Sequence, residues 1–340
     1  MGIVNFTTSF YPTKRLKKIW LRIIAANPIF RPTQSFDYYK WLFFAFYSHP
    51  TKVMRWRIIF NYVKLEGEEC IVPLVINHKK KAIRGIAHYG RLDYEDIICS
   101  TSDVSIIKVF LSKIFALYPD YSIDIININE ESILYSIFGE YMNFHESCVK
   151  LDFQDYENHY LGKISKHQRQ NIRTAYNKIN KEEFSIKLTS YDEHTSIPNS
   201  TWKRCQVIYD NRHNYYASRI QAWYIRQTNP YTHILRHIAG WHTYILYHDE
   251  DIMAYMSGIY DKISNCFYVP RLCINNLYAK YSPGILLLNE TIKLLTSEGV
   301  RHLDLMSGNE PYKIAMGGIP NTNYRLKCSV TKLLKVCTHQ

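Results

Sequence analysis

The 340-residue sequence contains no apolar run long enough to cross a bilayer; its longest aromatic-rich stretch, Trp41 to Tyr47, falls far short of the roughly 20 residues required. It also lacks the pattern of a secretory signal. The basic opening Lys14-Arg15-Leu16-Lys17-Lys18 is followed by only Ile19-Trp20-Leu21 before Arg22 interrupts the apolar stretch. The eight cysteines are scattered, with no CxxC pair and no Cys/His cluster at metal-ligand spacing, which argues against a disulfide scaffold or a zinc site. They read as reduced, mostly buried thiols, so the expected compartment is the cytoplasm. His213, His233, His237, His242 and His248 have no ligand pattern, so no metal is expected. No Ser-His-Asp order or nucleophile elbow is present, and Cys273 has no activating partner, which argues against serine- and cysteine-nucleophile chemistry.

What the chain does have is positive charge. Its formal net charge of +12 favours anionic partners: phosphorylated cofactors, nucleic acid or an acidic membrane face. Its 46% hydrophobic and 21% charged residues are in the balance of a globular protein, and the length suits two domains.

The residues divide near position 150. Before it, the pattern predicts a basic helix from Arg15 to Ala26, with peripheral membrane contact as one role, and a second helix from Asp37 to Tyr47. A hairpin follows, Arg57–Val63 and Cys70–Ile76 about a Glu66-Gly67-Glu68 turn. Next come a helix near Val104–Leu117, a strand Ser122–Asn127 and a short helix near Glu131–Phe138. After position 150, Ser165-Lys166-His167-Gln168 fits a capping box that opens a helix with six Lys/Arg and no acid between Lys163 and Lys181. Helices are expected over Asn199–Asp210 and Ala217–Arg226. Three strands (Trp241–Tyr247, Ile252–Tyr260, Asn265–Arg271) joined by short polar links form an antiparallel meander. It leads into a helix, Pro283–Ser297, closed by Gly299, and then a strand, Val300–Met306.

Two stretches carry candidate chemistry. In Lys280-Tyr281-Ser282-Pro283-Gly284-Ile285, Ser282 is a suitable helix N-cap, Pro283 suits the first helical position, and Gly284 admits a ligand close to the backbone. A helix start of this kind offers unpaired N–H groups and a positive dipole end to a phosphate, with Lys280 adding charge. The second stretch is Asp304 through Lys313. Asp304 or Glu310 is placed to act as general base, Tyr312 to protonate a leaving thiolate, and Lys313 to hold a phosphate or carboxylate. The alternative is equally ordinary: Asp304 caps locally, and Tyr312 and Lys313 lie along a surface.

In order along the chain, these motifs resemble the GNAT-type acetyltransferases of the Fem/CelD-like branch. The resemblance rests on the basic helix Ser165–Arg173, the strand pair Leu246–Ser257 with Ala254, Ser282-Pro283-Gly284, Gly299-Val300-Arg301-His302-Leu303-Asp304 and Gly308-Asn309-Glu310-Pro311-Tyr312-Lys313. In the first half it rests on Phe30–Trp41, Ile71-Val72-Pro73-Leu74 and Tyr89–Asp96. The GNAT pyrophosphate pattern Gln/Arg-x-x-Gly-x-Gly/Ala corresponds here to Tyr281-x-x-Gly284-x-Leu286. The resemblance implies an α/β (α+β mixed-sheet) protein of two GNAT-like domains in tandem, residues 1–150 and 151–340, each a twisted, mostly antiparallel sheet flanked by helices. It implies acyl transfer from acetyl-CoA or another acyl-CoA to an amine or hydroxyl of a small-molecule or glycan-precursor acceptor, such as a nucleotide-linked amino sugar. An oxyanion donor is expected on the Tyr255–Ile259 strand. The alternatives are an aminoacyl-tRNA-dependent, Fem-like transferase with tRNA held by Lys166–Arg173, and a binding protein that keeps the fold without the chemistry.

Overall fold

The structure is a computed structural model, and it describes all residues except 1–4, 28–30, 48–54, 90–91, 193, 217–234 and 339–340. The expected helix over Ala217–Arg226, and Phe30, Gly90 and Arg91 of the first-half motifs, lie outside the described residues. In chain order the chain begins with strand β1 (Asn5–Ser9), helices α1 (Lys14–Ala26) and α2 (Phe36–Tyr47), and strands β2 (Arg57–Leu65), β3 (Glu68–Asn77), β4 (Ala82–Arg84) and β5 (Ile98–Cys99). Helix α3 (Val104–Phe115), strand β6 (Ser122–Asn129), helix α4 (Ile133–Phe138) and strand β7 (Met142–Asp152) follow. Next come α5 (Lys166–Lys181), β8 (Ile186–Tyr191), α6 (Asn199–Tyr216), β9 (Trp241–His248), β10 (Asp251–Asp261) and β11 (Cys266–Ile274). The chain ends with α7 (Pro283–Ser297), β12 (His302–Ser307), α8 (Pro311–Ala315), β13 (Ile319–Ser329) and α9 (Val330–Thr338).

These elements form two compact units, Met1–Ser147 with Asn321–Gln340, and Cys148–Pro320. The division expected at residue 150 placed everything from 151 to 340 in the second domain. The last segment instead completes the first unit, because Asn323 to Ser329 of β13 pair antiparallel with Asn129 to Ser122 of β6. In unit 1 the neighbours β1, β2, β3 and β4 are antiparallel and β4 runs parallel to β6 across the crossover helix α3. Glu66 and Gly67, both at positive φ, turn β2 into β3, as the Glu66-Gly67 pair predicts. Ile107, Phe110, Leu111 and Ile114 on one face of α3 pack on the buried side chains of β2 and β3.

Unit 2 repeats the same order of parts. β8, β9, β10 and β11 form the expected antiparallel meander, α7 crosses over, and β12 lies parallel to β11. Cys148 to Asp152 of β7 close the sheet against β12. Leu286, Leu287, Leu288, Ile292 and Leu295 of α7 are buried in its core beside Ile172, Ala175 and Ile179 of α5. α7 stops where the sequence predicts: Gly299 adopts φ +79°, the N–H of Val300 reaches the Leu295 carbonyl and that of Gly299 the Thr296 carbonyl. Both units are therefore mixed α/β, with mostly antiparallel sheets flanked by helices.

Candidate active site

The crossover pair β11 and β12 sets the geometry of the site. The two parallel strands pair only at Cys266–His302, Phe267–Leu303 and Tyr268–Asp304. Beyond that point β11 continues to Ile274 alongside β10, while β12 breaks register and reaches Cys148 through Ser307. Asp304 drives the break. Its buried carboxylate accepts the Met306 N–H at 2.7 Å, and Met306 takes φ +57°, so the strand cannot continue straight. A cleft of about 480 Å³ opens beside the free end of β11, lined by Leu272, Ile274, Asn276, Ala279, the turn Ser282–Ile285 and Tyr312.

The floor of this cleft is the start of α7. Ser282 sits at φ +55° and does not cap with its side chain, contrary to expectation; its carbonyl accepts the Ile285 and Leu286 N–H groups at 3.0 and 3.2 Å. Pro283 has no N–H, so among the described residues the Gly284 amide and the Ser282 hydroxyl are the donors left unspent at the helix start. The first turn carries no acid, which keeps the positive dipole end available to an anion. A Cβ on Gly284 would stand 3.2 Å from the Ile274 side chain, so the glycine keeps this wall thin.

Residues 166–314 match the family model described as "Acetyltransferase (GNAT) domain". Unit 2 carries a GNAT domain. No curated protein sequence matches the chain at a significant level. Among solved structures, the chain is similar in fold to the C-terminal domain of a putative lysylphosphatidylglycerol synthetase from Agrobacterium fabrum, with 9% identity, TM-score 0.56, and 94% of this chain and 93% of that one covered. It is similar to L-PGS from Bacillus licheniformis, with 12% identity, TM-score 0.56 and coverage of 97% and 98%. FemX gives 10% identity, TM-score 0.52 and coverage of 86% and 93%.

Within the GNAT unit the residues singled out from sequence separate sharply. Ser282, Pro283, Gly284, Ile285 and Tyr312 line the cleft. Lys280 does not: the Tyr281 hydroxyl and then Glu182 hold its pKa above the usual range, and its exposed ammonium pairs with Glu182 at 3.1 Å, away from the helix start. Tyr281 is buried, packs against Phe184 with ring centroids 4.7 Å apart and donates its hydroxyl to Glu182, while Leu286 is wholly in the core. The outer positions of the pyrophosphate pattern thus serve packing, and only its central glycine faces the ligand space.

Lys313 is not a phosphate holder. Its ammonium is buried and donates to the carbonyls of Ser307 at 2.6 Å, Gly308 at 3.0 Å and Met306 at 3.4 Å, with the Glu310 carboxylate at 2.9 Å. It pins the loop after β12, and Glu310 is its counter-ion. Asp304 accepts the Met306 N–H, and of the Asp304–Lys313 candidates it is Tyr312 that lines the cleft. The Tyr255–Ile259 strand is poorly placed to supply the expected oxyanion donor, because β10 is paired with β9 throughout this span and with β11 except at the Gly258 bulge. Beside the cleft, the backbone that lacks a strand on its outer side is β11 from Val269 to Ile274. Sequence reasoning found β11 as a strand but missed its free edge, since nothing in its composition announces that its parallel partner will leave it.

The capping box at Ser165 is half formed. Ser165 accepts the Gln168 N–H, but the Gln168 side chain turns inward to Met316. Of the basic helix, Arg169 is taken by the carbonyls of Leu161 and Ile164, while Lys166 and Arg173 are exposed.

Proposed function

We propose that unit 2 is an acyltransferase that binds acyl-coenzyme A in the cleft beside β11 and passes the acyl group to an amine or hydroxyl. The observation that carries this reading is the parting of β11 from β12 over a helix start whose Gly284 amide and Ser282 hydroxyl are unspent. The donor's pyrophosphate is read at that helix start. Its thioester lies along Leu272 and Ile274, where an N–H on the free edge of β11 can stabilise the oxyanion. The acceptor nucleophile attacks the thioester carbonyl, its proton leaves to water or a base, and the Tyr312 hydroxyl protonates the departing thiolate.

Isothermal titration with acetyl-coenzyme A tests this. Gly284→Glu places a carboxylate in the phosphate position and is expected to weaken binding by at least tenfold with the melting temperature little changed. Tyr312→Phe is expected to keep donor affinity and lower the transfer rate by roughly 10²-fold or more. Unchanged donor affinity in Gly284→Glu removes the helix start from the site.

A second reading takes an aminoacyl-tRNA as donor. The exposed Lys166 and Arg173 favour it, as does likeness to FemX and to a domain named as part of a putative lysylphosphatidylglycerol synthetase. It predicts nucleic acid that co-purifies with the protein and is released by salt. In either case the acceptor reading extends to small or cell-surface precursors such as a nucleotide-linked amino sugar.

A further inference from the structure

Successive residues of a strand face opposite sides of the sheet. Leu272 and Ile274 line the donor cleft, whereas Arg271 and Cys273 face α6, where Cys273 packs with Cys205 and Tyr209. Arg271 is 4% exposed, and a guanidinium carries five N–H donors. One of them meets Gln206 Oε1 at a long 3.4 Å, the Tyr209 ring covers the guanidinium face at 4.4 Å, and Nη2 has no hydrogen-bond partner. Among the described residues no carboxylate lies within ion-pair distance of it. A buried cation without a counter-charge is among the most costly arrangements a fold can hold.

The neighbours of Arg271 along the sheet are hydroxyls, which can donate as well as accept. At the same level of the sheet Ser257 lies beside it on β10 and Thr243 beside Ser257 on β9, with the two hydroxyls 3.0 Å apart. Thr243 in turn lines a cavity of about 320 Å³ together with Arg236 and Trp241, whose buried indole N–H has no partner. Among the described residues one acid, Asp192, lines that cavity too, but its carboxylate is held by Thr195 and the His194 amide.

We infer that Arg271 and the row of donors leading to it form the anion site of the acceptor, which therefore carries a carboxylate or a phosphate. This deepens the transfer reading by naming the acceptor's chemistry: donor and acceptor meet across β11, with the thioester at Leu272 and Ile274 and the acceptor's charge one residue away on the opposite face. A ligand anion supplies the counter-charge that the described residues do not.

Thermal unfolding of the full chain in chloride, acetate and inorganic phosphate at constant ionic strength tests the site without a known acceptor. The wild type is expected to melt several degrees higher in phosphate or in acetate than in chloride, and whichever anion acts identifies the class. Arg271→Met is expected to abolish that rise while melting in chloride no lower than wild type, because it removes an unpaired buried charge. Arg271→Lys, which keeps the charge, should retain a weakened rise. A wild type indifferent to both anions, a rise that survives Arg271→Met, or an Arg271→Met protein that melts much lower in chloride overturns the proposal, the last by showing a structural arginine. Titration of acetyl-coenzyme A into Arg271→Met separates the two readings: donor affinity is expected to be unchanged, and its absence in wild type would count against the transfer reading alone.

Discussion

Lys313 and Glu95 show how misleading a charged residue's type can be without its neighbours. Replacing Lys313 by methionine leaves the carbonyls of Met306, Ser307 and Gly308 at the end of β12, and the Glu310 carboxylate, without their shared donor. The expected loss is about 3 kcal/mol in urea unfolding, since a buried group stripped of its partner costs more than the bond itself was worth. In unit 1, Glu95 is fully buried beside Gly85, where a Cβ would stand 2.8 Å from its carboxylate. Burial raises its pKa from 4.5 to about 8, partly opposed by the Ala87 and Ile86 amides. The folded state holds this proton between those values and the unfolded chain does not. Stability is therefore full below pH 4.5 and falls as pH rises toward 8, by up to about 1.4 kcal/mol per unit. Asp96, raised to about 6, adds to the same trend. Glu95→Gln is expected to flatten the profile in urea melts taken at pH 5.5 and 8.5; an equally steep loss in that variant would show that Glu95 titrates normally.

At the scale of elements, much was legible because periodicity reports burial directly. α3, α7, the β2–β3 hairpin and the β9–β11 meander lie within a few residues of where apolar spacing and turn residues put them. What was not legible depends on partners distant in sequence. Ser282 has the chemistry of an N-cap, yet the chain arrives from Tyr281, anchored in the core, and forces a left-handed residue there instead. The turn at Met306, again at positive φ in a residue that rarely adopts it, follows from the Asp304 carboxylate and has no glycine to signal it. Gly258 passed without notice in the sequence, although a Cβ on it would lie 1.8 Å from the Tyr268 carbonyl oxygen across the bulge between β10 and β11. Gly258→Ala is expected to push β11 away and give insoluble or molten protein by near-ultraviolet circular dichroism; a native spectrum would show that the bulge relaxes cheaply.

At the scale of the whole molecule, the order of motifs along the chain carried the family, while the division into units did not follow the order of residues. β13 and α9 come last in sequence and complete unit 1, a pairing that no local pattern encodes because both partners of a strand ladder must be known first. The candidate site was legible in part for the same reason: the helix start was visible as three consecutive residues, whereas the free edge of β11 and the buried Arg271 exist only once the sheet is assembled. The account depends on the acyl donor entering beside that edge. Hydrogen exchange of the intact protein, with and without saturating acetyl-coenzyme A, measures this most directly. Slowed exchange confined to the segments around Leu272–Ile274 and Gly284–Leu286 is the predicted result. Binding that leaves both segments unprotected, or that protects a different region, would contradict it.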